Sequence, residues 1–76
     1  MNENTLDATG LICPLPVLRA RKKLKDLKPN TILKIKTTDP ASVMDFGVFC
    51  EQSGHNLIEQ KESDGIYTFI IRRGLK

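Results

Sequence analysis

Two cysteines, one histidine and no tryptophan leave this 76-residue chain little reactive or aromatic equipment. Two cysteines are too few for the disulfide framework of a small secreted scaffold. Cys13, Cys50 and His55 make up the whole soft-ligand supply, without the spacing of a zinc site, so no metal is expected. A single histidine with no local signature also argues against Ser-His-Asp or Cys-His catalysis. No apolar run approaches the roughly 20 residues that cross a bilayer. The opening MNENTLDATG has neither the basic nor the apolar region of a signal peptide. No repeat, low-complexity tract or linker breaks the chain, which reads as one domain over residues 1–76. The expectation is a cytoplasmic protein with free thiols, no cofactor and no membrane association.

So short a chain buries only about 60% of its unfolded surface, which leaves room for one core and little for an enclosed active site. Its chemistry should lie on the surface or be completed by a partner.

Residues 4–8, NTLDA, suit a short strand that Gly10 ends. Residues 14–27 suit a helix, with Pro14 at the first helical position, where a missing N–H costs nothing. Lys28-Pro29-Asn30 stops it. In 31–37, TILKIKT, Leu33 and Ile35 alternate with Lys34 and Lys36, the period of a strand. Asp39 then suits an N-cap and Pro40 a first turn, with a helix to about Ser53 and Gly54 as its stop. Residues 55–62 and 66–73 suit two strands joined at Asp64-Gly65. The order is β-α-β-α-β-β, an α+β arrangement whose patterns are buried most simply by one sheet with both helices on one face. Right-handed crossovers running in opposite directions along the sheet are expected to give that placement.

At 100° per residue, Val17, Ala20, Leu24 and Leu27 form the inward stripe of the first helix, while Leu15 and Leu18 project outward with Arg19, Lys22 and Asp26. Two outward leucines so near Cys13 suggest a small docking surface, although single exposed apolar residues are ordinary. In the second helix the stripe is Val43, Phe46 and Cys50, with Gly47 at its edge. Cys50 therefore reads as core. Met44, Val48 and Ala41 fall off that stripe, over a loop or against a partner. His55, after Gly54, is expected to cap or pack.

Arg19, Arg21, Lys22, Lys23, Lys25 and Lys28 hold half of the twelve basic residues within ten positions. Such a cluster is either a solvated helix face or a patch for an acidic protein or a phosphate backbone. At its head stands C-P-L-P. An N-cap Cys13 would feel the positive end of the helix dipole, which favours thiolate. Pro14 and Pro16 stiffen the stem and remove two amide donors, leaving Leu15 and Val17 N–H to face the sulfur or its cargo. No second cysteine lies nearby, so this is not a C-x-x-C redox motif. A single-thiol carrier fits these residues. A tolerated cap residue also fits, as does a binding or regulatory module that uses the basic helix for nucleic acid or an acidic protein. The four aromatics, Phe46, Phe49, Tyr67 and Phe69, sit mostly at core-like positions, which disfavours a base-stacking platform.

Leu6, Asp7, Gly10, Cys13, Pro14 and Pro16 together make L-D-x-x-G followed by C-P-x-P. This resembles the TusA-like (SirA-like) family of small sulfur carriers. The likeness continues through Asp39-Pro40-Ala41, Asp45, Phe49-Cys50, Gly54-His55 and Asp64-Gly65. It implies a two-layer α/β sandwich with a four-stranded mixed sheet and two helices on one face. It also implies a persulfide on Cys13, supported by Asp7, Gly10, Pro14 and Pro16, with Leu15, Leu18, Arg19 and Lys22 in the partner-binding patch. A cysteine desulfurase or another sulfurtransferase would load it, and a downstream protein would accept the sulfur, with tRNA served only indirectly. The family serves tRNA 2-thiolation, sulfur oxidation, and molybdenum-cofactor or selenium metabolism. Leu15 departs from the acidic residue of the tRNA-thiolation members.

Overall fold

The computed structural model describes residues 4–12 and 14–74. The elements are β1 (Asn4–Ala8), α1 (Leu15–Lys25), β2 (Ile32–Thr37), α2 (Ser42–Ser53), β3 (Asn56–Ser63) and β4 (Ile66–Arg72). One sheet runs β1-β2-β4-β3, with β1 parallel to β2 and the other two pairings antiparallel. This is the expected α+β order, a mixed sheet with two helices.

Alternation along the strands turns Leu33, Ile35, Phe69 and Ile71 to one side, where they join Ala8, Ala20, Leu24, Phe46 and Cys50 in a single core. Both helices contribute to that core, so both lie on the same face. The steps β1 to β2 and β2 to β3 run in the same direction along the sheet, with β4 filling the place between. The expectation of opposite directions is therefore corrected. Two crossovers of one hand put their helices on one face when they travel the same way.

Each helix buries a triad spaced by four residues. In α1 it is Pro16, Ala20 and Leu24, with Val17 and Leu27 only half-buried. In α2 it is Ser42, Phe46 and Cys50. Val43, expected inside, is exposed, and Ser42 takes its place because the Thr37 hydroxyl donates to Ser42 Oγ at 2.9 Å. A buried hydroxyl with a partner costs little, so this pair sets the helix phase that hydrophobicity alone assigned to Val43.

The helix ends also differ from expectation. Asp39 Oδ1 accepts the Ala41 N–H at 3.1 Å, but it caps a preceding turn in which Ser42 N–H bonds to the Asp39 carbonyl. The α-helix proper begins two residues later, with Ala41 as N-cap. The α1 helix closes at Lys25, where Asp26 and Leu27 N–H shorten to i→i−3 bonds. Gly54 ends α2 as expected, at φ 80°, its N–H on the Cys50 carbonyl.

Phe46 holds the two layers together. It lies 4.7 Å from Phe69, ring centre to ring centre, and edge-on to Phe49 at 6.4 Å. Phe46→Ala is expected to cost about 3–5 kcal/mol, a large share of the roughly 4–11 kcal/mol available to a chain of this length. Val43→Ala should cost under about 1 kcal/mol. Urea unfolding followed by circular dichroism checks both.

Candidate functional site

Cys13 lies outside the described residues. On the N-terminal side, Asp7 at the end of β1 accepts the Thr9 N–H at 3.0 Å and the Thr9 hydroxyl at 2.7 Å. These two bonds, side chain first, lower the Asp7 pKa, with a smaller pull from Lys36 on the neighbouring strand. Leu11 N–H returns to the Ala8 carbonyl at 3.3 Å. Gly10 sits at φ 81°, which a residue with a side chain adopts only at a cost, and its N–H donates to Thr38 Oγ1 at 2.9 Å.

On the C-terminal side, the N-cap of α1 is Pro14, with no side-chain cap. This moves the cap one residue from the expected Cys13. Pro14 O accepts the Leu18 N–H at 3.1 Å, and Ile12 O accepts the Leu15 N–H at 2.9 Å. Leu15 N–H is therefore spent within the chain, and the expected pair of waiting donors is reduced by one.

Leu15 and Leu18 are exposed, as their helical phase required, and Arg19 and Lys22 stand beside them. With Leu6, Lys23 and the single acid Asp26 they line a shallow depression of about 540 Å³. On the other side of Leu18, a groove of about 390 Å³ runs between the helices, floored by Pro14, Val17, Met44, Val48 and Phe49. Leu18 is the ridge between the two. Met44 and Val48, undecided in sequence, are thus exposed on the α1 side of α2, with Met44 75% accessible. Ile12, 73% accessible, extends this apolar exposure and was missed, because a loop residue has no period to betray it.

The basic cluster divides. Arg19, Lys22 and Lys23 border the first depression. Lys22, Lys23 and Lys25 also occupy the last turn of α1, where positive charge offsets the negative end of the helix dipole. Of the four aromatics, Phe46 and Phe69 are fully buried and Phe49 and Tyr67 half-buried, so none offers an open stacking face.

Cys50 is buried in the core, as expected, and burial pushes its thiol up to about 11. It stays protonated and shielded, unsuited to a resolving role. His55 packs 5.5 Å from the Phe49 ring, and its Nδ1 accepts the Gly74 N–H at 2.8 Å. Its proton therefore sits on Nε2. Gly74 approaches the Gly54 carbonyl too closely for any side chain. Arg73 Nε donates to the Leu24 carbonyl at 2.7 Å and closes the C-terminal end of α1.

Fold and site together define a small two-layer α/β domain that displays an apolar, basic-edged rim around the start of its first helix. The chain belongs to the TusA sulfurtransferase family, whose sequence profile matches residues 4–73. It is 45% identical over 71 residues to the sulfur carrier protein TusA of Allochromatium vinosum, covering 93% of each chain. It is 47% identical over 68 residues to the sulfur carrier protein TusA of Pseudomonas paraeruginosa, covering 90% of this chain and 86% of that one. The crystal structure of a SirA-like protein from Desulfitobacterium hafniense superposes with a TM-score of 0.81 at 30% identity, over 92% of this chain and 96% of that one. No helix among the described residues is long and apolar enough to cross a membrane.

Burial first, and then the Arg73 charge, lower the His55 pKa below its ordinary 6.5. The fold prefers neutral imidazole, so this stability is complete above the unfolded value and declines as pH falls from there toward the folded value. His55→Asn keeps an acceptor oxygen but does not titrate. Thermal melts from about pH 7 down to about pH 5 should show the wild type losing more stability than His55→Asn.

Proposed function

We propose that the protein is a sulfur carrier in which Cys13 takes up sulfane sulfur from one protein and hands it to another. The Cys13 thiolate attacks the outer sulfur of a donor persulfide. The donor's S–S bond breaks, its electron pair stays on the donor sulfur as thiolate, and the new S–S bond forms on Cys13. Transfer to the acceptor repeats the exchange in reverse, so no net redox agent is consumed. The donor is a cysteine desulfurase or another sulfurtransferase and the acceptor a downstream protein, with tRNA reached only through it.

The observation that carries this reading is the surface around the head of α1, in a chain of this family. Leu15, inside the C-P-L-P stretch, and Leu18, just after it, stand exposed beside Arg19 and Lys22. An apolar patch edged with cations suits a partner face that is apolar with acidic edges. A persulfide ionises more readily than a thiol, and the start of a helix favours the anion. Cys50, shielded and poorly acidic, offers no competing site.

Incubation with a cysteine desulfurase, cysteine and pyridoxal phosphate should add one sulfur atom to the wild type by intact mass. Cys50→Ser should load equally and Cys13→Ser not at all. Loading retained in Cys13→Ser rejects the assignment. Salt-dependent nucleic-acid binding that survives loss of Cys13, without loading of the wild type, would point instead to a binding module on the basic helix.

Charge reversal tests the docking face. Arg19→Glu with Lys22→Glu should slow loading about tenfold at low ionic strength, with the gap narrowing as salt rises. Reversal of Lys25 and Lys28, beyond the depression, should change the rate by less than about twofold. Single-turnover transfer kinetics give both numbers.

A further inference from the structure

We propose that Thr38 is a positioning residue for the Cys13 stretch. Its Oγ1 holds the Gly10 N–H at 2.9 Å and so ties the β2–α2 connection to the segment that leads into α1. The bonds within that segment are local, from Thr9 to Asp7 and from Leu11 to Ala8. The Thr38 bond spans 28 residues and ties the turn to another part of the fold.

Thr38 itself stands on firm ground. Its neighbour Thr37 is fully buried and donates to Ser42 Oγ, while the Asp39 N–H returns to Thr37 Oγ1 at 3.3 Å. The connection is thereby bound to the first turn of α2. On the far side of the cysteine, Ile12 O receives Leu15 N–H and Pro14 O receives Leu18 N–H. One flank is thus fastened to α1 and the other, through Gly10, to Thr38. Gly10 needs such a tie, since its φ of 81° is one of several states open to glycine. The field of a helix terminus fades within about one turn. On this proposal, freedom at Gly10, three residues before Cys13, alters how acidic that thiol is.

The bond lies at the surface, where water replaces a lost partner at small cost. Its loss should leave global stability nearly unchanged while it loosens the turn, which separates positioning from a structural role. This inference rests on the reading of Cys13 as the sulfur-accepting thiol, and the test has one arm for each. The pH profile of Cys13 alkylation by iodoacetamide, read by peptide mass, follows position. Desulfurase loading follows function.

Thr38→Val should shift the alkylation profile to higher pH and slow the reaction at neutral pH about two- to fivefold, with loading slowed in parallel and the melting temperature little changed. Thr38→Ser, which keeps the hydroxyl, should restore the wild-type profile. If Thr38→Val does not fold, Thr38→Ala against Thr38→Ser makes the same comparison, because those two differ in the hydroxyl alone. A profile in Thr38→Val or Thr38→Ala that coincides with wild type overturns the proposal, as does a serine variant that behaves like them. A wild type that never loads, while the alkylation profiles still separate, rejects the carrier reading and leaves the positioning role standing.

Discussion

The buried hydroxyl pair of Thr37 and Ser42 is the constraint on which the arrangement rests. It joins the end of the central strand β2 to the first turn of α2 at 2.9 Å, inside the protein. Once Ser42 faces inward, a spacing of four residues carries Phe46 and Cys50 inward after it. Met44 and Val48 must then face outward, toward the groove shared with α1. The composition of the inter-helix surface therefore follows from this hydrogen bond together with the burial of Phe46 and Cys50 on the same stripe. The adjacent residue of the same strand end, Thr38, holds the Gly10 turn. A single strand terminus thus fixes the phase of one helix and anchors the approach to the other.

Much of this fold was legible because its signals are periodic. Leu33 and Ile35 alternate with lysines, and the Asp64-Gly65 pair turns a hairpin with both residues at positive φ. Gly54 stops α2 where its sequence position indicated. What failed was decided by polar contacts that hydropathy cannot weigh. Val43 outranks Ser42 as a core candidate until the Thr37 hydroxyl is known to lie opposite. Pro16 was read only as a backbone device, yet it is fully buried and forms part of the α1 core. The N-terminal boundaries slipped by one or two residues, because Asp39 and Pro40 build a turn ahead of α2 and Pro14 serves as cap instead of first helical residue.

The site divides in the same way. Leu15, Leu18, Arg19 and Lys22 lie on one helix, so their common face could be counted out from residue spacing. Ile12 and Thr38 lie on irregular backbone, where spacing carries no direction. The Gly10–Thr38 contact joins residues 28 apart, and nothing local in either segment announces it. The basic cluster was legible as composition but not as geometry. Three of its four lysines, Lys22, Lys23 and Lys25, lie in the last turn of α1 and offset its dipole, while Arg19, Lys22 and Lys23 border the exposed leucines. One run of charge thus serves helix stability and the display of a surface together.

Cys50 shows why environment, and not residue type, assigns the chemistry. Cys50 has the same thiol as Cys13, but it sits third in an inward triad, and burial raises its pKa to about 11. Neutral and shielded, it packs as a small hydrophobe. A domain of this size has little room to enclose a reaction, and the two depressions on either side of Leu18 are open grooves. On the proposal that Cys13 carries sulfur, that sulfur has to be protected by whatever docks over it. The physical demand is then twofold: a surface that different proteins can cover in turn, and a thiol stem stiff enough to reach into each. Exposed apolar residues edged with cations answer the first. Two prolines within three residues answer the second, with the approach to them fastened to the body of the fold at Gly10.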